Sequence, residues 1–251
     1  MSAAPAAPGA PLPAAEAAGA PAVAPGAAAA PSGSLRPLLG LLHLASPALP
    51  VGAFAYSQAL EAAVEHGIAA GEPQALAWIR DHLRLVVARV EAPLWLRLHA
   101  AALAGDDAGF AELNARFIAL RETAELRAEA VQTGASLARA LPALGVAAPA
   151  CDPLAFCAGF AWTCARLGLP AREGLAAYLW AWAENQVLAA VKLVPLGQMA
   201  GQRMLVALHP EVEAAVATAA ALGDDDLGSA ALGLAIESAR HESQYSRLFR
   251  S

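Results

Sequence analysis

The sequence predicts an all-α protein: a single helical-bundle domain of roughly eight to ten helices behind a disordered N-terminal tail. Apolar residues recur at the three-to-four spacing of a helix face, and no run alternates apolar and polar residues as a half-buried strand would. Prolines stand where first helical turns should begin, since proline lacks the N–H that would be unsatisfied there. Much of the 58% apolar fraction is alanine, which favours helix.

The composition changes abruptly near residue 35. Residues 1–34 are nearly all Ala, Pro, Gly and Ser, have no basic start and carry prolines in every apolar stretch, so they resemble neither a signal peptide nor a transit peptide. We therefore expect a disordered tail over residues 1–34 and one folded domain over residues 35–251.

The first long helix is predicted over residues 73–104, where apolar residues line one face. Pro93 should kink this helix, because it leaves the carbonyl of Arg89 without its usual donor. The helix over residues 170–194 is apolar around most of its circumference, which predicts a central position or a subunit interface. Prolines and glycines place further helices over residues 35–44, 57–66, 107–118, 121–140, 153–168, 211–221 and 228–245, with Pro153, Pro170 and Pro210 as helix starts.

Charge and hydropathy exclude two classes of partner. The formal net charge is -6, whereas nucleic-acid binders gain most of their affinity from clustered Lys and Arg. Charged residues interrupt the most apolar stretches before they reach the ~20 residues of a transmembrane helix. We expect no nucleic acid and no membrane partner, and the odd number of cysteines, three, fits a reducing cytoplasm.

The sequence offers no catalytic constellation. It contains neither a glycine-rich phosphate loop nor a Gly-x-Ser-x-Gly elbow. His241-Glu242 begins like a zinc-protease helix, but Tyr245 stands where the second histidine ligand should be. Cys157 and Cys164 share a helix face and could hold a metal, although their apolar surroundings favour buried small residues. We assign no catalytic residue and no metal ligand.

Two features point to partner binding. Lys192 is the only lysine beside fifteen arginines, so it either presents its ammonium to a partner or lays its stem along apolar surface. The last stretch, from Arg240 to Ser251, mixes basic and aromatic residues of the types enriched in interface hot spots. We expect this stretch to be mobile in the free protein and to become ordered on a partner. The charges between Arg121 and Glu129, in contrast, including an Arg121–Glu125 pair, have the spacing of a solvated helix face.

Three blocks of sequence carry a family resemblance that covers residues 35–251. They are residues 41–61 (LLHLASPALPVGAFAYSQALE), 121–127 (RETAELR) and 184–198 (ENQVLAAVKLVPLGQ), and the chain end 241–251 (HESQYSRLFRS) closes the set. Together they resemble the UreF family of urease accessory proteins. Ala53 and Ala59 stand where that family commonly has glycine.

The resemblance implies an all-α cytoplasmic protein that acts in urease maturation. Such a protein would bridge UreD (also called UreH) and the GTPase UreG in the complex that inserts nickel into apo-urease, modulate GTP use, and form a homodimer. It would bind no cofactor tightly, because the complex handles the nickel. The expected partner-binding residues are Tyr56, Lys192, Tyr245, Arg247, Leu248, Phe249 and Arg250. A helical metal-dependent enzyme and a plain homodimeric scaffold are the alternatives.

Overall fold

The computed structural model describes residues 34–251, so the tail predicted over residues 1–34 lies outside the described residues except for Ser34. The described chain forms α1 (Arg36–Ala45), α2 (Leu60–Glu65), α3 (Glu72–His82), α4 (Ala92–Ala104), α5 (Asp107–Ala119), α6 (Ala124–Ala140), α7 (Phe156–Arg166), α8 (Ala171–Leu193), α9 (Gln198–Ala221) and α10 (Leu232–His241). Three short 3-10 turns lie at Ala53–Ala55, Leu141–Leu144 and Asp224–Asp226. No strand occurs in this part of the chain, which confirms the all-α prediction.

Helices α3 and α4 are the two halves of one continuous helical rod, which corresponds to the helix predicted over residues 73–104. Between them, Leu83–Glu91 forms a π segment, and the N–H of Ala92 donates to the carbonyl of Val87, five residues earlier. Pro93 follows in the first turn of α4. The predicted break at Pro93 therefore takes the form of a wider helical turn just before it, a feature often found at functional sites.

Helix α8 occupies the centre of the fold and packs against α1, α4, α7 and α9. Leu175, Leu179 and Val187 are buried on it, as its all-round apolar pattern predicts. A Cβ at Gly174 would lie 2.8 Å from the Trp95 ring, so α4 and α8 approach each other more closely than a larger residue would allow. Helix α8 is thus the central element of the fold, against which these four helices pack.

Helix α9 corrects the prediction that Pro210 begins a helix over residues 211–221. It runs without interruption from Gln198 to Ala221, with Pro210 inside it. Proline removes the donor for the carbonyl of Val206, but both residues are exposed, so water can hydrate that carbonyl. The rule that proline marks the start of a helix therefore failed here. Pro210 lies at a solvated position, where a proline inside a helix destabilises it least.

By length and composition alone, α9 is the one helix of the described residues that could cross a membrane. Its polar side chains instead bond to neighbouring helices. The guanidinium of Arg203 donates to the Glu72 carboxylate at 3.0 and 2.5 Å, and Glu211 accepts from Arg84 at 2.8 and 2.7 Å. Helix α9 is a packed helix of the protein body.

Several predicted helix starts lie a few residues too early. Helix α2 begins at Leu60 instead of residue 57, because Gln58 and Ala59 adopt left-handed backbone conformations with φ of 51° and 68°. Helix α6 begins at Ala124 after Thr123, whose side chain accepts from the backbone N–H of Leu126. Helices α7 and α10 likewise begin at Phe156 and Leu232. The resemblance placed glycine at position 59, and the left-handed φ gives that preference a physical reason.

Candidate partner-binding site

We call the last ten residues, 242–251, the terminal segment, and residues 52–58 the Tyr56 turn. The terminal segment lies along the Tyr56 turn. The backbone N–H of Arg250 donates to the carbonyl of Ala55 at 2.8 Å. Ser57 donates to the carbonyl of Ser251 from both its backbone N–H, at 2.9 Å, and its hydroxyl, at 2.6 Å. These bonds join parts of the chain that are far apart in sequence.

The carboxylate of Glu61 holds the terminal segment from a second side. Glu61 lies in the first turn of α2, is 7% exposed, and accepts the backbone N–H groups of Leu248 at 2.6 Å and Phe249 at 2.8 Å. The expectation of a mobile terminal stretch is therefore wrong for the free chain. Its backbone donors find acceptors on the helical body, so no partner is needed to satisfy them.

A buried polar network fixes the Tyr56 turn to α6 and α8. Gln58 donates to Glu129 at 2.7 Å and accepts from the indole N–H of Trp182 at 2.8 Å. The other oxygen of Glu129 accepts from the hydroxyl of Ser251 at 2.8 Å. Asn185 donates to the carbonyl of Tyr56 at 3.1 Å. Glu129 of α6 thus connects the turn to the terminal segment, and Gln58 connects the turn to the central helix α8.

Two of the expected partner-binding residues are buried anchors. Tyr56 is 4% exposed and donates its hydroxyl to Gln132 at 2.7 Å, while Phe249 is 6% exposed. The ammonium of Lys192 lies 5.8 Å from the centre of the Phe249 ring, within the range of a cation–π contact. Tyr56 and Phe249 therefore pack beneath the exposed side chains of the terminal segment.

The other expected residues form the outer face of the same region. Tyr245 is fully exposed and Leu248 is 66% exposed, and the Lys192, Arg247 and Arg250 side chains also reach solvent. Because the backbone beneath them is fixed, these side chains are presented on an ordered surface, which we call the terminal face. Arg247 also donates to Glu125 at 2.5 Å.

A groove of about 460 Å³ lies beside the Tyr56 turn. Phe54, Gln132, Arg139 and Arg250 are among the residues that line it. Phe54 is 68% exposed, which is unusual for a large aromatic side chain in a monomer. The groove combines an apolar rim with two arginines and so suits an acidic, partly apolar protein surface.

A cavity of about 160 Å³ lies deeper, between α1, the loop after it, and helices α6, α7 and α8. A buried ion pair between Arg121 and Glu91 lies in its wall, and Tyr178 donates its hydroxyl to Glu91 at 3.0 Å. The structure therefore corrects the prediction of a solvated charged face: Arg121 is 6% exposed and its partner is Glu91, not Glu125.

Burial and neighbouring charges shift the pKa values of three groups around this cavity: Arg121, Cys157 and Tyr178. Burial would lower the pKa of the Arg121 guanidinium, but the carboxylates of Glu91, Glu129 and Glu122 together raise it above its usual value. Burial, reinforced by the charge of Glu91, raises the pKa values of the Cys157 thiol and the Tyr178 phenol well above their usual values. Neither side chain is thus available as an anion at neutral pH.

The cysteines do not form a reactive or metal-binding group in the described residues. Cys157 and Cys164 are buried at 1% and 0% exposure, and burial raises the pKa of Cys164 to about 12. Cys151 is half-buried, and burial also raises its pKa. Across residues 34–251, no three His, Cys, Asp or Glu side chains are arranged to hold a metal ion.

Sequence reasoning missed the residues that fix this site from within: Gln58, Glu61, Glu129 and His241. Gln58 and Glu61 lie in the first resembling block, and His241 opens the last one. Their place in these blocks was the only sequence signal for these three residues, because each of them bonds to a residue more than 70 positions away in the chain. Glu129 lies beyond the second block and gave no such signal.

Comparisons with known proteins agree with the sequence blocks. The family model UreF matches residues 70–209. A protein of Azoarcus sp. named urease accessory protein UreF is 53% identical over 232 residues, which is 88% of this chain and 98% of that protein. Its namesake from Cupriavidus metallidurans is 48% identical, covering 87% of this chain and 99% of that protein. A Bordetella bronchiseptica protein named bifunctional urease accessory protein UreEF is 50% identical over 85% of this chain and 52% of its own length.

Proposed function

The chain belongs to the UreF family of urease accessory proteins, maturation factors rather than enzymes, and within that role we propose that it is an adaptor. In this proposal it binds UreD (also called UreH) and the GTPase UreG, and the assembled complex inserts nickel into apo-urease and controls GTP use. The proposal includes a cytoplasmic location and a homodimer. Nickel is cargo of the complex and is not a cofactor of this chain.

The terminal face is the observation that carries the adaptor proposal. Tyr245 and Leu248 are exposed although the segment beneath them is bonded through its backbone at four positions. Exposed apolar side chains on a fixed backbone lose little conformational entropy when a partner covers them. Full burial of a side chain the size of Leu248 contributes ~1.5–3 kcal/mol. A surface of this kind is suited to protein binding.

Charge and location favour an acidic partner surface at the terminal face. Arg139 and Arg250 line the groove on one side, and Lys192 lies over the terminal segment on the other. The chain as a whole is acidic, with a formal net charge of -6, so this basic region is a local exception. A basic region on an acidic protein orients a carboxylate-rich partner and raises the rate of association.

Helix α1 supports the homodimer part of the proposal. Its outward face and the residue just before it carry four leucines that are 53% to 66% exposed: Leu35, Leu38, Leu39 and Leu42. Their spacing forms one continuous apolar stripe, of the kind that subunit interfaces cover. Sedimentation velocity of the wild type and of Leu39→Asp would test this: a dimer that survives the substitution does not use α1.

The fused relative from Bordetella bronchiseptica is consistent with an adaptor role. Its name joins UreE to UreF, and the part similar to this chain makes up 52% of its length. In that relative, a UreF-like part and a second accessory protein are joined in one polypeptide. We propose that this chain also acts beside other accessory proteins, but through non-covalent contacts.

Co-purification tests the adaptor proposal directly. Tagged wild-type protein, expressed with UreD, UreG and the urease subunits, should retain UreD and UreG. Leu248→Asp should lose one or both, because it places a charge in the covered patch, while the helical circular dichroism stays unchanged. Leu103→Asp is the matched control, since Leu103 is 67% exposed on α4, outside the terminal face. If Leu248→Asp and Leu103→Asp both retain the full complex, the terminal face is not the adaptor surface.

A further inference from the structure

The cavity between α1, α6, α7 and α8 contains a buried arginine whose hydrogen bonds are incomplete. Arg121 lines this cavity and is 6% exposed. Its Nη1 donates to the carboxylate of Glu91, whereas its Nε is buried and has no hydrogen-bond partner among the described residues. Folded proteins rarely leave a buried N–H without an acceptor. Because Arg121 lines the cavity, a molecule held there can supply that acceptor.

The neighbouring carboxylates in the cavity wall are already occupied by other donors. One oxygen of Glu91 accepts from Arg121, and the other accepts from the hydroxyl of Tyr178 at 3.0 Å. Both oxygens of Glu129 also accept, one from Gln58 at 2.7 Å and one from the terminal segment at 2.8 Å. These bonds fix the carboxylates in place, so the Nε–H of Arg121 is left as the donor that a ligand meets.

The charges of the cavity wall favour a neutral ligand. Among the described residues, three acidic side chains, those of Glu91, Glu129 and Glu184, line the cavity beside one basic side chain, that of Arg121. An anionic ligand would add a further negative charge to this partly buried wall, which is unfavourable in a medium of low polarity. A carbonyl oxygen accepts a hydrogen bond from Arg121 without carrying a net charge.

The rest of the wall fits a small apolar body. The cavity volume of about 160 Å³ is well above the ~10–15 Å³ that a single water needs and below the ~300–1,000 Å³ of pockets for drug-sized ligands. Its apolar side chains come from four parts of the fold, and they include Leu44, Leu49, Phe117, Leu126 and Phe156. A compound with a short alkyl chain would cover this apolar surface and exclude water from it.

The cavity has an entrance from solvent. Three of its lining residues, Pro47, Phe54 and Leu188, are themselves exposed at the protein surface, and Phe54 is 68% exposed. Arg121, in contrast, lies at the buried end, where the ring of Phe117 packs against its guanidinium at 5.6 Å. A ligand would therefore enter past apolar side chains and meet its hydrogen-bond donor inside.

We propose that this cavity is a binding site for a small neutral carbonyl compound, such as a short-chain amide or ketone. The carbonyl oxygen accepts from the Nε–H of Arg121, and the alkyl chain packs on the apolar wall. The ion pair with Glu91 holds the guanidinium in position for this bond. The site is a property of the isolated chain, so the proposal does not depend on the proposed adaptor function.

Titration of the isolated full chain with butyramide, followed by NMR of side-chain N–H groups, tests the site. The Nε–H of Arg121 and the indole N–H of Trp182, which also lines the cavity, should shift with one common midpoint. We expect a Kd on the order of millimolar, because so small a ligand has few atoms to contribute. The indole N–H of Trp162, which donates to Ala147 at 2.8 Å outside the cavity wall, should not shift.

Butyrate tests the charge argument, because it has nearly the same shape as butyramide but is an anion at neutral pH. It should bind about tenfold more weakly or worse, since it adds a negative charge to the acidic wall. Absence of a saturable shift with butyramide would overturn the site. Binding of butyrate as tight as that of butyramide would overturn the assignment to a neutral ligand.

Two variants assign the binding to this cavity. Arg121→Lys keeps a positive charge beside Glu91 but removes the guanidinium donors, so butyramide should bind about tenfold more weakly or worse. Ala181→Leu, at a half-buried position of α8 in the cavity wall, should weaken binding to a similar extent by filling the space. Ala128→Leu is the control, because Ala128 is exposed on α6 outside the wall, and it should keep the wild-type Kd.

Circular dichroism of each variant shows whether it is folded. Wild-type affinity in folded Arg121→Lys would refute the role of the guanidinium. If Arg121→Lys does not fold, Ala181→Leu decides, and wild-type affinity in that variant would show that butyramide binds elsewhere and refute the proposal.

Discussion

Acidification should destabilise the protein through His82, at the end of α3. His82 is 2% exposed, and its ring packs edge-on against Trp182 with 5.1 Å between the ring centres. Burial lowers the pKa of His82 to about 4, although the charge of Glu91 acts in the opposite direction. The ordinary imidazole value is 6.5, so between these values the unfolded chain binds more protons than the folded one. Stability contributed by the neutral ring is therefore present above about pH 6.5 and lost as the pH falls towards about 4.

These two pKa values give a loss of about 2 kcal/mol in the free energy of unfolding between pH 7 and pH 5 from His82 alone. Guanidinium unfolding followed by circular dichroism would measure it in the wild type and in His82→Leu. The variant should lose about 2 kcal/mol less over the same interval. Glu129, whose pKa burial raises, is present in both proteins, so its contribution to the pH dependence cancels in the comparison. Equal losses in the two proteins would refute the reasoning, because His82 would then take up no proton on unfolding.

Three further substitutions, one of them with a matched control, test the fold and the site. Ala59→Gly should change the free energy of unfolding by less than about 1 kcal/mol, because relief of the left-handed φ of 68° is offset by loss of a buried methyl group that packs against Val86 and Leu234; a loss of about 2 kcal/mol or more would contradict this. Gly134→Ala should lower the free energy of unfolding by about 3 kcal/mol or more, since its Cβ would lie 2.0 Å from the carbonyl oxygen of Leu154. Gly197→Ala is the control: its Cβ would meet no atom within 4 Å, so it should be nearly neutral. Lys192→Ala should reduce urease maturation or uncouple GTP use while the thermal midpoint stays nearly constant; loss of folding would instead make Lys192 a structural residue.

Local patterns were sufficient to predict most of the helices. Helix α8 was recognised because apolar residues surround it, and the structure places it at the centre for that reason. Helix α9 was missed in its first half because proline was taken as a start signal. Whether an interior proline breaks a helix depends on the exposure of the carbonyl it leaves free, and sequence does not show that exposure.

The terminal segment shows what local sequence could not supply. Its aromatic and basic composition marked it as unusual, and both it and the Tyr56 turn lie in blocks that carry the resemblance. Its docking, however, depends on Glu61, 187 positions before Leu248, and on Ser57, 194 positions before Ser251. Contacts over such separations follow from the packing of α2, α6 and α10 and leave no periodic signal.

Arg121 shows the same limit for charge. The spacing between Arg121 and Glu125 is that of a solvated helical pair, yet helix α6 begins only at Ala124 and Arg121 turns inward. Its actual partner, Glu91, is placed by the π segment of the α3–α4 rod. A departure from regular helix geometry in one element thus determined the environment of a charge in another.

The nickel content of urease tests the adaptor role most directly. Cells that lack the native accessory protein would be supplied with the wild type, with the double variant Tyr245→Ala and Leu248→Ala, or with Leu103→Ala as the matched exposed control. Urease purified from each would be assayed for bound nickel and for activity. We expect the wild type and Leu103→Ala to give nickel-loaded, active urease and the double variant to give mostly apo-urease. Fully loaded urease from cells with the double variant would contradict the assignment of the terminal face as the surface through which this protein acts.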